Sequence, residues 1–130
     1  MDPDALATVS LFSSLSRTEL AQLAAWTDEL NFPEGKELAR EGTFAHEFFI
    51  IRSGNAAVLR DGERIAELGP GDFFGEIGLL ETDRRTASVV TTTPVRAIVM
   101  FQREFRQMES AMPTIAEQIR GAIRDRLANS

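Results

Sequence analysis

The sequence has no cysteine and a single histidine, His46, in 130 residues. The absence of cysteine excludes disulfides, thiolate metal sites and a cysteine nucleophile. A metal-dependent enzyme would need several histidines or carboxylates that converge on one ion. His46 stands beside a predicted hairpin and is expected at the surface. The sequence therefore predicts neither a metal site nor a cofactor.

Basic residues are few and scattered. Lys36 is the one lysine, and 14 Lys and Arg stand against 20 Asp and Glu, so the net charge is −6. Nucleic-acid binding draws much of its affinity from clustered basic side chains that neutralise phosphates, so we expect no DNA or RNA partner. An anion would have to bind in a local pocket whose field opposes that of the whole molecule.

The chain also lacks a long hydrophobic run. No apolar stretch approaches the length that spans a bilayer, and the first residues, MDPDALATVS, lack the basic and apolar regions of a signal peptide. We expect a cytoplasmic protein without membrane contact. With 130 residues, 43% of them hydrophobic, the chain is long enough for one domain around a single core.

Local patterns predict helices at both ends of the chain. Ser16-Arg17-Thr18-Glu19 is a capping box that opens a helix, and the apolar spacing that follows continues until Pro33. From Ile115 to Leu127, isoleucine and leucine recur every four residues and form one apolar helical face. This face either packs on its own domain or serves as a dimer contact or a mobile lid, and the sequence leaves these alternatives open.

Short β-prone runs fill the middle of the chain. Arg60-Asp61-Gly62-Glu63 is a hairpin turn between two of them. The runs lie at residues 47–51, 56–59, 64–68, 86–93 and 95–101. Strands this short at this spacing favour an antiparallel barrel or jelly roll. We therefore expect one domain with three parts: an N-terminal helical part over residues 1–30, a β-roll over 31–101 and C-terminal helices over 102–130.

The stretch FGEIGLLETDRRTASVV, residues 74–90, combines glycines, a carboxylate and two adjacent arginines. Gly75 allows the backbone to approach a ligand closely, and residues 75–79 can form one helical turn whose free amides favour an anion. Arg85 has the planar fork that suits phosphate, whereas Arg84 faces the other way and is expected to be a solvated surface charge. Glu76 needs a donor of its own beside a phosphate, and a ribose hydroxyl is such a donor. Together these features indicate a nucleotide site.

The same residues carry a resemblance to a known family. FGEIGLL followed by RRTASV resembles the phosphate-binding cassette of cyclic-nucleotide-binding domains. Such domains occur in regulatory subunits of the cyclic-AMP-dependent kinase, in catabolite activators of bacteria and in cyclic-nucleotide-gated channels. The resemblance implies an α+β fold: an antiparallel β-roll or jelly-roll barrel with an inner short phosphate-binding helix and flanking N- and C-terminal helices. It places the cassette at residues 74–89.

The resemblance also implies roles for individual residues. Glu76 is implied to take the ribose 2′-hydroxyl, and Arg85 to bind the cyclic phosphate. Further backbone or hydroxyl groups on the phosphate and ribose are implied at Gly75, Ile77, Gly78, Thr86 and Ala87. The base pocket and its lid are implied at Val58, Ala66, Leu68, Arg126 and Leu127.

The implied function is a regulatory sensor that binds cyclic AMP and signals to an attached or partner effector when its C-terminal helices close. Thr86 could donate to guanine as well as to phosphate, so cyclic GMP stays open as the ligand. A homodimer through the C-terminal helix stays open as well. The cassette contains no histidine or lysine that could act as a base for Thr86 or Ser88, so no enzyme is expected.

A second class of function also fits the residues. Glu76 and Arg85 could form a structural salt bridge without any ligand, since buried ion pairs are weak evidence for anything but themselves. The chain would then be a ligand-insensitive structural or protein-interaction module of the same fold.

Overall fold

The structure, a computed structural model, describes residues 1–44, 46–75 and 84–128. The chain divides into two compact units. The helical unit comprises Met1–Asp28 and Met100–Ser130, and the β unit comprises Glu29–Val99. From Glu76 onward, the short helix predicted at residues 75–79 lies outside the described residues.

A capping box opens one helix of the helical unit, as predicted. The unit's described elements are the helices α1 Pro3–Ala7, α2 Arg17–Ala24, α3 Gln102–Ala111 and α4 Pro113–Ala128, and a 3-10 turn at Ser10–Phe12. At the start of α2, the amide of Glu19 donates to Ser16 Oγ at 3.1 Å, and the amide of Ser16 donates to Glu19 Oε1 at 2.9 Å. These two bonds satisfy amides that the helix start leaves without partners.

Helix α2 ends earlier than the apolar spacing predicts. The spacing continues to Pro33, but α2 ends at Ala24, and Asp28–Phe32 forms the first strand. The amide of Trp26 donates to the carbonyl of Leu23 at 2.9 Å, which tightens the last turn. Pairing with a distant strand therefore overrides the local helical pattern over these residues.

The apolar face of α4 packs within the helical unit. Ile115, Ile119 and Ile123 are buried, and α4 packs against α3 and the 3-10 turn. Leu127, the last member of the face, is 43% exposed. Of the alternatives that the sequence left open, packing on its own unit is the one that the structure shows for the three isoleucines.

The β unit is built from two antiparallel sheets. Its described strands are β1 Asp28–Phe32, β2 Glu37–Ala39, β3 Glu47–Ser53, β4 Ala56–Arg60, β5 Glu63–Leu68, β6 Phe73–Phe74, β7 Ser88–Thr91 and β8 Val95–Phe101. One sheet has the order β1-β8-β3-β6, and the other has the order β2-β7-β4-β5. The hairpin turn between β4 and β5 lies at Asp61 and Gly62, whose φ angles of 53° and 80° suit a tight hairpin. The predicted α+β fold with an antiparallel β-roll is confirmed.

Residues 42–44 lie beside residues 84–85 of the predicted site and hold their backbone. Phe44 and Arg84 form an isolated antiparallel bridge. The amide of Gly42 donates to the carbonyl of Arg85 at 2.9 Å, and the amide of Arg85 donates to the carbonyl of Thr43 at 2.7 Å. The backbone around Arg85 is therefore held in place before the chain enters β7.

Candidate functional site

One cavity of the β unit gathers much of the predicted site. Its volume is about 170 Å³, and its walls are Ala39, Val58, Leu68, Phe73, Phe74, Gly75, Arg85, Thr86, Ala87 and Val89. Six of these were predicted from the cassette or the base pocket: Val58, Leu68, Gly75, Arg85, Thr86 and Ala87. The volume lies below the roughly 300–1,000 Å³ of a typical small-molecule pocket.

Arg85 is the chemically distinctive wall of this cavity. It is 7% exposed, and among the described residues it is the one charged residue that is buried. Its Nη2 donates to Glu47 Oε2 at 2.7 Å and to the backbone carbonyl of Glu47 at 3.4 Å. A buried charge is costly unless it is paired, and Glu47 supplies that pairing. A guanidinium has five N–H donors, so Arg85 can donate further hydrogen bonds besides those from Nη2.

Gly75 brings the backbone against this ion pair. Its φ is +83°, a conformation that residues with a side chain rarely adopt. A Cβ at this position would collide with the backbone carbonyl oxygen of Glu47 and would lie 3.4 Å from Nη1 of Arg85. The sequence predicted that this glycine permits close approach of a ligand, and the structure shows close approach to Glu47 and Arg85.

Glu47 is a site residue that the sequence did not reveal. It opens β3 at the head of an apolar run, 38 residues from Arg85, and its side chain is 34% exposed. A single carboxylate at the start of a strand carries no local signal of its partner. The predicted structural pair joined Arg85 to Glu76, which lies outside the described residues, whereas the pair that the structure describes joins Arg85 to Glu47.

A second cavity lies beside the same arginine. Its volume is about 400 Å³, and Glu37, Leu38, Ala39, Arg40, Thr43, Phe44, His46, Glu47 and Arg85 line it. Ala39 and Arg85 therefore line both cavities. His46 is exposed, as predicted, and within residues 1–44, 46–75 and 84–128 no three His, Cys, Asp or Glu side chains are grouped so that they could hold a metal ion.

The two adjacent arginines have different environments. Arg84 is exposed, its Nη1 donates to the carbonyl of Gly42 at 2.9 Å, and its guanidinium lies 4.9 Å from the ring centroid of Phe44. Cations placed over an exposed aromatic ring gain about 0.5–1 kcal/mol. The prediction that Arg84 is a surface charge is confirmed.

The remaining predicted residues lie elsewhere or outside the described ranges. Ala66 is exposed on β5 and pairs with Val58 of β4. Arg126 and Leu127 belong to α4 in the helical unit, where Arg126 Nη2 donates to Ser10 Oγ at 2.7 Å. Three predicted site residues lie outside the described residues: Glu76, Ile77 and Gly78.

None of the helices that the structure describes combines the length and apolar character that crossing a lipid bilayer requires.

Two curated proteins are similar to this chain over most of its length. A cAMP-dependent protein kinase regulatory subunit of Hypocrea atroviridis is 31% identical over 103 residues, which cover 79% of this chain and 22% of that subunit. A CRP-like cAMP-activated global transcriptional regulator of Mycobacterium tuberculosis is 31% identical over 127 residues, which cover 94% of this chain and 57% of the regulator. The chain thus spans between about a fifth and just over half of the length of these relatives.

A solved structure shows the same fold, and a family model identifies the family. A crystal structure of a protein from Geobacter metallireducens has a TM-score of 0.87 and covers 99% of this chain and 97% of that one; at 21% identity, this likeness shows a shared fold. The model of the cyclic nucleotide-binding domain matches residues 29–111, which is more than half of the chain. The chain therefore belongs to the cyclic nucleotide-binding domain family.

Proposed function

We propose that this chain binds cyclic AMP in the β-unit cavity and acts as a regulatory sensor. The observation that carries the proposal is the buried Arg85 in the wall of a cavity that Gly75, Thr86 and Ala87 also line. A guanidinium beside backbone groups that can approach closely is suited to a phosphate. The two curated relatives, a cAMP-dependent protein kinase regulatory subunit and a cAMP-activated transcriptional regulator, support this choice of ligand.

In this proposal the phosphate lies between Arg85 and the backbone at Gly75, Thr86 and Ala87. Nη2 of Arg85 is engaged by Glu47, and Nη1 faces the Gly75 turn, so Nη1 is the donor best placed for the ligand. Glu76, Ile77 and Gly78 complete the ribose and phosphate contacts by their likeness to the family cassette. The base lies against Val58, Ala66 and Leu68.

The signal in this proposal is a shift in the position of the C-terminal helices. A ligand can shift such an equilibrium only by binding the two states with different affinity. Arg126 and Leu127 of α4 provide this difference by closing over the base, and Arg126 exchanges its bond to Ser10 for the ligand. An attached or partner effector then responds to the new position of α4.

The test is titration calorimetry of the chain with cyclic AMP and cyclic GMP. The variants are Arg85→Ala and, as a matched control, the exposed neighbour Arg84→Ala. We expect saturable binding with a preference for cyclic AMP. Arg85→Ala should weaken it at least about a hundredfold, because two hydrogen bonds to a charged group contribute about 3–6 kcal/mol. Arg84→Ala should bind within about threefold of wild type, since exposed charges contribute little.

An alternative has an observation of its own. The Arg85 guanidinium is already paired with Glu47 at 2.7 Å, which is what a ligand-insensitive structural or interaction module of this fold would require. The same titration separates the two functions. A folded, ligand-free protein that gives no heat with either nucleotide would exclude the sensor and favour the module.

A further inference from the structure

Residues 86–88, of which Thr86 and Ala87 line the cavity, are held by hydrogen bonds from two neighbouring segments. Arg60, at the end of β4, donates from Nε to the carbonyl oxygen of Thr86 at 3.2 Å. On the other side, the amide of Glu41 donates to Ser88 Oγ at 2.9 Å. The two segments that supply these bonds are also bonded to each other, since the amide of Asp61, next to Arg60, donates to Glu41 Oε1 at 3.1 Å.

The hydrogen bond from Arg60 to the Thr86 carbonyl also affects the orientation of the Ala87 amide. The carbonyl of Thr86 and the amide of Ala87 belong to one planar trans peptide unit, in which C=O and N–H point in opposite directions. A donor that holds this carbonyl therefore also sets the direction of the Ala87 N–H. Ala87 lines the cavity, whereas Arg60 is not among the residues that line it. The carbonyl is held from outside the cavity, which directs the N–H of the same peptide unit towards the opposite side.

The position of Arg60 is itself well defined. Arg60 pairs with Glu63 across the β4–β5 hairpin, and the turn between them uses Asp61 at φ 53° and Gly62 at φ 80°. A two-residue turn of this kind fixes the register of the strands that it joins. The hairpin thus fixes the backbone position of Arg60, and from there its guanidinium reaches the Thr86 carbonyl.

From these contacts we propose that Arg60 is a positioning residue of the nucleotide site: it holds the Thr86–Ala87 peptide so that the Ala87 N–H faces the ligand phosphate. This role rests on the proposed function. Arg60 itself need not touch the ligand, since it acts through the peptide unit.

The experiment compares three variants with the wild-type chain. Arg60→Met removes the donor and the charge but keeps an unbranched side chain, and Arg60→Lys restores a donor of similar reach. Arg64→Met is the matched control, because Arg64 is an exposed arginine of the same hairpin that pairs with Glu67 at 2.7 Å. It stands on β5, which neighbours β4 and not β7. The two measurements are calorimetric affinity for cyclic AMP and the amide resonance of Ala87 in two-dimensional NMR spectra of the ligand-free chain.

We expect Arg60→Met to weaken binding about fivefold, the effect of one typical hydrogen bond, and to shift the Ala87 amide resonance. Arg60→Lys should bind within about twofold of wild type, and Arg64→Met should match wild type in both measurements. If the role of Arg60 were purely electrostatic, Arg64→Met would lower the affinity for cyclic AMP as much as Arg60→Met does. That result would overturn the proposal.

The outcomes also separate this role from the function on which it rests. If the wild-type chain binds cyclic AMP and Arg60→Met binds it equally well, the positioning role is wrong and the sensor function stands. If the wild-type chain binds no cyclic nucleotide, the proposed function is wrong, and the positioning role falls with it.

Discussion

The helical unit and the β unit bury different kinds of side chain. Among the described residues of the helical unit, five have side chains that are completely inaccessible, and all are apolar: Leu6, Leu23, Phe105, Met108 and Ile123. The one buried hydroxyl described in this unit, on Thr27, donates to the carbonyl of Leu23 at 3.3 Å. The β unit also has an apolar core, yet it buries the guanidinium of Arg85.

Under the proposed function, this difference separates residues that stabilise the fold from residues that bind the ligand. Burial of a large apolar side chain stabilises a fold by about 1.5–3 kcal/mol, so the interior of the helical unit needs no further explanation. A buried ion pair is often no more stabilising than apolar residues of the same volume, although removal of one partner alone is destabilising. The proposed function gives the buried Arg85 a role in binding as well. Substitutions inside the helical unit should therefore change folding, and substitutions around Arg85 should change binding.

The largest expected effect is on stability, in the helical unit. Phe105→Ala should lower the free energy of unfolding by about 3–5 kcal/mol, because it removes a fully buried ring and leaves a cavity. Urea denaturation measures the change, and Phe44→Ala, which truncates a ring that is 51% exposed, is the control. If Arg85→Ala proves more destabilising than Phe105→Ala, the comparison between the units does not hold.

A backbone substitution sharpens the comparison within the β unit. Gly75→Ala should cost at least about 1–2 kcal/mol from its left-handed conformation alone, with a further cost from the collision with Glu47, and it should reduce binding of cyclic AMP.

Gly54→Ala is the matched control for Gly75→Ala. Gly54 has a φ of +88°, and a Cβ there would meet the carbonyl of Pro94. Both variants should melt earlier than wild type in a thermal scan. At a temperature at which both are folded, we expect weakened binding in Gly75→Ala alone. Equal loss of binding in both would mean that Gly75 acts through general stability.

A smaller effect is expected from the carboxylate beside Arg85. Glu47→Gln keeps an acceptor for the guanidinium but removes a negative charge close to the proposed phosphate. Since the Glu47 side chain is one-third exposed, we estimate the gain at about 1 kcal/mol, the Coulomb energy of unit charges 4 Å apart in water. Cyclic AMP should therefore bind about fivefold more tightly.

Glu29→Gln is the control for Glu47→Gln, because Glu29 forms a similar ion pair with Arg52, at 2.6 Å. It should leave the affinity unchanged in calorimetry. Weaker binding by Glu47→Gln would instead assign Glu47 the role of holding Arg85 in place for the ligand.

The smallest effect is a pH dependence at the surface of the helical unit. The hydrogen bond from the Ser16 amide, followed by the Ser16 side chain and Gln118, lowers the pKa of Glu19. A carboxyl whose pKa is lower in the folded state stabilises the fold above its pKa in the unfolded chain. That contribution is lost as the pH falls through the lowered pKa.

Thermal melts across acidic pH measure this contribution. Glu19→Gln preserves the capping geometry but cannot titrate, so its melting temperature should fall less steeply with acid than that of wild type. Parallel curves for the two proteins would contradict the prediction.

Features that depend on neighbours along the chain were predictable from the sequence. The Ser16–Glu19 capping box and the Asp61–Gly62 hairpin turn both form as expected, because each is closed by residues only a few positions apart. The family and its antiparallel fold followed from one long motif. The predicted end of α2 was wrong because residues 28–32 form a strand in a sheet. Local spacing does not show pairing with a distant strand.

By itself, the sequence determined the α2 capping box, the β4–β5 hairpin turn, the family and the candidacy of Arg85. Only the tertiary structure decided that Arg85 pairs with Glu47 and that Arg60 supports Thr86. Both contacts join residues far apart in the chain, and each exists because antiparallel pairing in one register brings their segments side by side. A shift of one residue in that register would turn every side chain to the opposite face, so no local pattern could have specified these partners.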